Sequence, residues 1–251
     1  MLHRDLQINK KQLLALDLPK LLQCFYQASL NRLLDKDEIT HILKLCDALW
    51  LHSGDPKHPH AELTSGKCSN GFVDVLRMLK YTQLCSLMAN QMVNKFRSGY
   101  PDLHIDWVIG SDHAGAAISQ AVATILGAQY DFAEKDPSGS KKQIWKRFKI
   151  QPEETVLQVE ELVTTTGTLE AVRSGILDYH DYKIKFAPAV ITLVHRSSAY
   201  EFNGSPILHL VHYDIQTWEP ADCPLCAQGS KRLRPKQNWV ELTAPDSGGG
   251  L

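Results

Sequence analysis

The chain has 251 residues, a formal net charge of −1 and 43% hydrophobic residues, a length that suits one α/β domain with additions and can bury a full core. The balanced charge argues against a basic surface for nucleic acid or an anionic membrane. The longest apolar run, around Ala187–Val194, is too short to span a bilayer, and the charged start (MLHRDLQINKKQ) lacks the apolar core of a signal peptide, so a cytoplasmic protein is expected.

Residues 5–48 read as helical, with Leu13, Leu14, Leu16, Leu21, Leu22, Ile42, Leu43 and Leu45 at helical spacings. Residues 51–60 (LHSGDPKHPH) form a Gly/Pro/His-rich loop. Residues 74–96 predict one long amphipathic helix with Asp74 as N-cap. A buried strand at 106–110 (DWVIG) precedes a small-residue helix at 115–126. A strand at 129–133 leads to a polar, lysine-rich loop at 137–147. Then come a strand at 155–160, a helix at 168–179, and strands at 186–194 and 207–211. The last residues (DSGGGL) read as a flexible tail. Short apolar strands alternating with helices imply a parallel sheet with right-handed crossovers.

In such a sheet, ligands bind outside the carboxyl ends of the strands. Three of these ends are unusually equipped: Gly110–Gly115 (GSDHAG), Glu134-Lys135 with the lysines that follow, and Glu160 to Thr168. In the third, a strand ends in Glu160-Glu161, a carboxylate pair suited to accept from neighbouring ribose hydroxyls. Thr164, Thr165, Thr166, Gly167 and Thr168 then offer hydroxyls and backbone N–H groups at the start of a helix, where phosphate is favoured. On pattern alone the stretch is equally an ordinary capped helix with solvated glutamates, and the lysines an exposed face.

Val156–Thr168 resembles the phosphoribosyl-diphosphate (PRPP) signature of the type I phosphoribosyltransferases: four apolar residues, two acids, two apolar residues and a Thr/Gly loop. Other segments narrow the resemblance to the orotate phosphoribosyltransferases. His60–Ser69 (HAELTSGKCS) is similar to an early L-(S/T)-S-G-x-x-S stretch. Val108–Val122 is similar to the pyrophosphate-loop strand and helix, and Phe132–Lys135 (FAEK) to the opening of the catalytic loop. Val194–Ser197 (VHRS) is similar to a V-D-R-S strand end. Trp218–Cys226 (WEPADCPLC) with Arg234-Pro-Lys236 resembles the Y-P-P-x-x-C-P-L-C…K-P carboxyl end of one bacterial and archaeal branch. The resemblance covers roughly residues 40–238; residues 1–39 form an extra helical segment, and 243–251 the tail.

The resemblance implies a Rossmann-like type I phosphoribosyltransferase fold, a parallel sheet of about five strands with flanking helices. A core near 74–204 would carry a small hood built from about 51–73 and 205–240. It implies a Mg²⁺-dependent homodimeric enzyme that couples PRPP to orotate, giving orotidine 5′-monophosphate and pyrophosphate. Glu160 and Glu161 would hold the ribose hydroxyls, and Thr164 to Thr168 the 5′-phosphate. Ser111, Asp112, His113, Ala114 and Gly115 would approach the pyrophosphate, with Lys135 and the loop lysines Lys141, Lys142 or Lys146 neutralising it. Lys135, Glu160 and Glu161 would be the catalytic set; Ser65, Gly66 and Lys67 would line the base side, and Arg196 would face the orotate carboxylate. Mg²⁺ would ride on the diphosphate with few protein ligands, Glu160 and Glu161 among the candidates.

The sequence also departs from the pattern. Glu161 stands where the family has Asp, Thr166 where it has Gly, Ala or Cys, and His195 where it has Asp. Gln158 interrupts an apolar strand, and Asp112 and His113 occupy a usually small, apolar loop. Another nucleobase, or a PRPP- or nucleotide-binding regulator with a degenerate site, is the alternative reading.

Of the six cysteines, expected to be reduced, only Cys223 and Cys226 have metal-like spacing, half of a zinc site. Strand alternation would point His209 and His212 to opposite faces; His52, His58 and His60 are other candidate ligands. A structural turn is the simpler reading.

Overall fold

Runs of aliphatic residues with few charges make the centre of the molecule, because a strand buried on both faces needs no polar alternation. The computed structural model describes residues 4–26, 28–140 and 142–244. Its core runs, in chain order, α1 (Thr82–Gly99), β1 (Trp107–Ser111), α2 (Ala114–Leu126), β2 (Gln129–Lys135), β3 (Gln143–Ile144), β4 (Thr155–Val163), α3 (Gly167–Tyr179), β5 (Val190–His195) and β6 (Ser205–His212). These strands belong to an eight-stranded sheet containing the order β6-β5-β4-β1-β2-β3. The β6-β5, β5-β4, β4-β1 and β1-β2 pairs are parallel, as the alternation of strands and helices requires. Two short edge pieces are antiparallel: β3 beside β2, and Glu201–Phe202 beside β6.

Small residues set the depth of α2 on the sheet. A Cβ on Gly110 would stand 2.6 Å from the Gly115 carbonyl oxygen and 2.7 Å from Ser119 Oγ, so only glycine permits this approach. The amino-terminal helices Lys10–Leu14 and Leu18–Cys24 bury Leu13, Leu21 and Phe25 in the same apolar cluster as β4, β5 and α1. Gln91 of α1 fastens the chain that follows them: its side-chain NH₂ donates to the Leu30 and Arg32 carbonyls, and its oxygen accepts from the Leu34 N–H at 2.7 Å.

Several elements differ from expectation. The helix expected over 74–96 is broken: a short turn at Leu76–Leu79 ends at an extended Tyr81 (φ −87°, ψ 104°), whose ring packs on the core. Asp74 does not cap it; its carboxylate pairs with Arg77 at 3.4 Å. The strand expected over 186–194 is split into Lys185–Phe186 and β5, with Pro188, which has no N–H for a ladder, between them. β4 runs on to Val163, so the two acids lie within the strand rather than at its end. Of the tail, Thr243 closes a short helix (Trp239–Thr243), and residues 245–251 lie outside the described residues.

A second, smaller sheet is built from Thr217–Trp218, Cys68–Ser69, His60–Glu62 and Arg232–Leu233, in that order. Ser205–His212, read from sequence as part of the hood, belongs to the main sheet as β6. Among the described residues no helix is long and apolar enough to cross a membrane.

Candidate active site

Glu160 and Glu161 are neighbours on β4, and an ideal pleat would send them to opposite faces. Their carboxylates nevertheless converge. A Cβ added to Gly115 would stand 3.3 Å from Glu160 Oε2, 3.4 Å from Glu161 Oε2 and 2.5 Å from Ser111 Oγ. Gly115, at the start of α2, is therefore the floor of a small acidic recess. Ser111, last residue of β1, donates its hydroxyl to Glu160 Oε2 at 2.8 Å. Glu160 Oε1 and Glu161 Oε2 are buried with no hydrogen-bond partner among the described residues. Burial first, and the Glu161 charge second, push the Glu160 carboxyl well above the usual carboxylate range; burial raises Glu161 too. Two orphaned buried acceptors side by side suit a diol, or a divalent cation carried by a ligand.

Beyond β4, Thr164, Thr165 and Thr166 lead into α3. Thr166 is the N-cap but makes no side-chain cap bond; the nearest substitute is the Gly167 N–H approaching Thr165 Oγ1 at 3.4 Å. Thr166 thus makes no side-chain cap bond, and the start of this thirteen-residue helix suits an anion. Thr166 has φ −78°, so its β-branched side chain carries no backbone penalty. Thr168 lies in the first turn of α3.

Asp112 and His113 shape the neighbouring loop. His113 has φ 58° and ψ −104°, a strained conformation for a residue with a Cβ. The Asp112 carboxylate accepts from the Lys135 ammonium at 3.1 Å and from His113 Nδ1 at 3.1 Å, and Ala114 begins α2 behind them. Lys135 therefore faces an acid of its own chain at the end of β2. Lys142 is exposed beside the turn, and Lys141 lies outside the described residues. Lys146 and Arg147 fold back on Glu134 at 2.8 and 3.0 Å.

The polar, lysine-rich loop expected over 137–147 is in part anchored. β3 pairs with the end of β2, Trp145 is buried against Trp107, and a Cβ on Gly175 would collide with the Gln143 carbonyl. Residues 137–140, Lys142 and the stretch 146–149 stay in solvent.

A cleft of about 570 Å³ opens beside the threonine loop, lined by Thr164, Thr165, Arg196, Tyr200 and the Asp214–Thr217 segment among others. Burial lowers the Arg196 guanidinium pKa, and no nearby charge contributes to that shift. It is the one expected base-side residue found in the cleft. Ser65, Gly66 and Lys67 form the turn between His60–Glu62 and Cys68–Ser69, where Gly66 takes φ +83° and Lys67 pairs with Glu219 at 2.8 Å. They do not line the cleft.

Sequence reasoning missed two supports. Gln158 donates to the Leu169 carbonyl at 2.7 Å and accepts from Arg173 Nε at 3.2 Å, while Arg173 lies between the rings of Phe186 and Phe202. This ties α3 to β4 beneath the threonine loop. His195 is fully buried; its Nε2–H donates to the Ala199 carbonyl at 2.9 Å, so its Nδ1 accepts from His212 Nδ1–H at 2.9 Å. It thereby fixes the turn that carries Arg196. His209 and His212 do not diverge: both rings pack on His195, with centroids 5.1 Å away. Cys223 and Cys226 belong to the hood, where their sulfurs face His60 and Cys68.

An open parallel sheet with a carboxylate pair on its central strand and a hydroxyl loop opening the next helix defines the type I phosphoribosyltransferase fold. The chain matches a crystal structure of orotate phosphoribosyltransferase from Aeropyrum pernix with TM-score 0.50 at 16% identity, over 69% of this chain and 93% of that one. No family model matches the chain. It is 30% identical over 176 residues to an orotate phosphoribosyltransferase of Caldicellulosiruptor bescii, spanning 70% of this chain and 87% of that protein. It is 30% identical over 182 residues to the protein of the same name in Caldicellulosiruptor saccharolyticus, spanning 72% and 90%. The chain belongs to the orotate phosphoribosyltransferase family, whose members are pentosyltransferases.

Proposed function

We propose that this chain transfers the 5-phosphoribosyl group of PRPP to orotate, forming orotidine 5′-monophosphate and pyrophosphate in pyrimidine nucleotide synthesis. The observation that carries the reading is the convergence of the Glu160 and Glu161 carboxylates over Gly115, with buried oxygens that have no hydrogen-bond partner among the described residues. In this reading those oxygens accept from the ribose 2′- and 3′-hydroxyls, and the amides and hydroxyls of Thr164–Thr168 take the 5′-phosphate. Arg196, desolvated in the cleft, meets the orotate carboxylate.

Displacement at the anomeric carbon develops positive charge on the sugar and negative charge on the departing diphosphate. The carboxylate pair lies where the first can be stabilised. Lys135 lies where the second can be, once it exchanges Asp112 for a phosphate oxygen; Lys142 on the loop tip adds to it. Mg²⁺ carried on the diphosphate would neutralise the leaving group, and the orphan oxygens of Glu160 and Glu161 fit such a cation. The enzyme is read as a cytoplasmic homodimer, the dimer on the family resemblance alone.

The test is pyrophosphate release from PRPP and Mg²⁺ with a panel of bases. Release with orotate is expected. No release with orotate sinks the proposal; release with another base reassigns the substrate, and PRPP binding without turnover leaves a regulator.

A further inference from the structure

We infer that His60, Cys68, Cys223 and Cys226 form a structural zinc site that clasps the hood. Their ligand atoms all lie within 4.8 Å of one another. Cys226 Sγ is 3.6 Å from Cys68 Sγ and 3.4 Å from His60 Nε2, and Cys223 Sγ is 3.7 Å from His60 Nε2. A tetrahedral zinc ion with ordinary Zn–S and Zn–N bonds separates its ligands by about 3.5–3.8 Å. The sulfurs are much too far apart for a disulfide, whose length is about 2.05 Å.

The histidine is set up as a ligand by its neighbours. Ser230 Oγ has a single proton, and it goes to the His58 carbonyl at 2.6 Å, which can only accept. The 2.8 Å contact between Ser230 Oγ and His60 Nδ1 must then use the ring N–H as donor. That fixes the tautomer and leaves the Nε2 lone pair facing the sulfurs. An outer partner on the far ring nitrogen is the usual support of a metal-bound imidazole.

The backbone around the cysteine pair is equally specific. Cys223 caps the short turn Pro224–Ala227, and the Cys226 N–H points at Cys223 Sγ at 3.5 Å. Gly229 then takes φ +82°, which bends the chain so that the Ser230 N–H reaches the Leu225 carbonyl at 3.0 Å and its side chain reaches His60. His60, Cys68 and Cys223 are buried, and Cys226 is partly exposed, which gives the ion an entry path. Binding releases the three thiol protons and leaves one net negative charge. Arg232, beside Cys68 and Glu62, stands where it offsets that charge.

The site joins segments 170 residues apart in sequence. Its reading does not depend on which base the enzyme uses, so the test need not involve activity. The full chain, reduced, stripped with a chelator and desalted, is titrated with Co²⁺ and then Zn²⁺. One Co²⁺ per chain is expected, with thiolate-to-metal charge transfer and tetrahedral d–d bands that Zn²⁺ erases. Cys226→Ser should weaken binding and change the spectrum, whereas Cys24→Ser, outside the cluster, should not. Ser230→Ala keeps every ligand and should lower affinity by about 10–100-fold; it serves if Cys226→Ser is insoluble. Should the stripped chain unfold, refolding on addition of Zn²⁺ supports the site. Reduced wild-type protein that leaves a desalting column without zinc after incubation in excess metal overturns the proposal, as does a Cys226→Ser protein with wild-type affinity and spectrum.

Discussion

The Lys135 ammonium lies 3.1 Å from the Asp112 carboxylate, so the cation that the proposed reaction would turn toward its diphosphate is engaged by an acid two elements away. The pair is exposed on the lysine side, and an exposed ion pair is worth at most about 1 kcal/mol, little enough for a diphosphate to break. Lys135→Ala is expected to cut kcat by about 10²–10³-fold, the usual effect of losing one preorganised group at developing charge. Asp112→Asn should instead lower KM for PRPP and preserve kcat. Steady-state pyrophosphate release on both variants decides it; equal loss in both would mean that Asp112 serves the chemistry directly.

Glu160→Gln should separate stability from activity. A carboxyl whose folded pKa is raised contributes its stability in full below the ordinary carboxyl value of about 4.3, and loses it as pH rises through the folded value. Removing the charge should therefore stabilise the free protein at pH 8 by on the order of 1 kcal/mol, seen as a higher Tm, with no gain at pH 4. Turnover should fall. A Glu160→Gln protein less stable at pH 8 would contradict the raised carboxyl.

The histidine cluster works in the opposite sense. Burial lowers the pKa values of His195 and His209, so the unfolded chain takes up protons near pH 6.5 while the folded one resists. Stability is then complete above that pH and falls as pH drops through the folded values. His195→Asn should shallow the stability–pH slope below pH 6.5 by up to about 1.4 kcal/mol per pH unit, one proton's worth. Parallel denaturation curves for variant and wild type at pH 5 to 7 would refute this.

Gln158 and Arg173 should behave as a unit. Gln158→Leu leaves the Leu169 carbonyl and the Arg173 guanidinium short of partners and should cost about 1–3 kcal/mol. Adding Arg173→Met should recover part of that loss, because both polar groups then leave together. Urea unfolding of the two singles and the double tests the sign of the coupling.

His113→Gly should stabilise the fold by about 1 kcal/mol, since glycine takes φ 58° and ψ −104° without a Cβ clash. A drop in Tm would show that the His113 side chain, through Asp112, earns more than its backbone costs.

What the sequence discloses follows the range of each interaction. The β4–Thr/Gly–α3 junction is legible because its chemistry sits in one contiguous stretch, Val156 to Thr168. The alternation of strands and helices from 106 to 194 is legible for the same reason. Thr166 departs from the Gly, Ala or Cys of the family pattern, yet its φ of −78°, which no residue letter discloses, suits a β-branched side chain. Asp112 reads only as a departure in a usually small, apolar loop because Lys135 lies 23 residues on (135 − 112), and nothing local announces the pair. The anchoring of the lysine loop depends on Gly175, an unremarkable glycine until Gln143 is seen pressed against it. Cys223 and Cys226 announce themselves by spacing, and His60 is one of three loop histidines the sequence offers; Cys68 is added, and His60 selected, only by the small sheet's register.

That small sheet has a consequence for the order of events on the ribosome. Its strands join His60–Glu62 to Arg232–Leu233 and Cys68–Ser69 to Thr217–Trp218, among the longest closures in the chain. Contacts of such separation form late, after local strands and helices have repaid their own ordering cost. The segment from β1 to β5 carries the carboxylates and the threonine loop, and it emerges before Asp214–Thr217, which walls the cleft. A nascent chain thus carries its carboxylate pair and threonine loop before the wall of the cleft has emerged. A chain released before Ser230 would lack both the last strand of the small sheet and the group that orients His60.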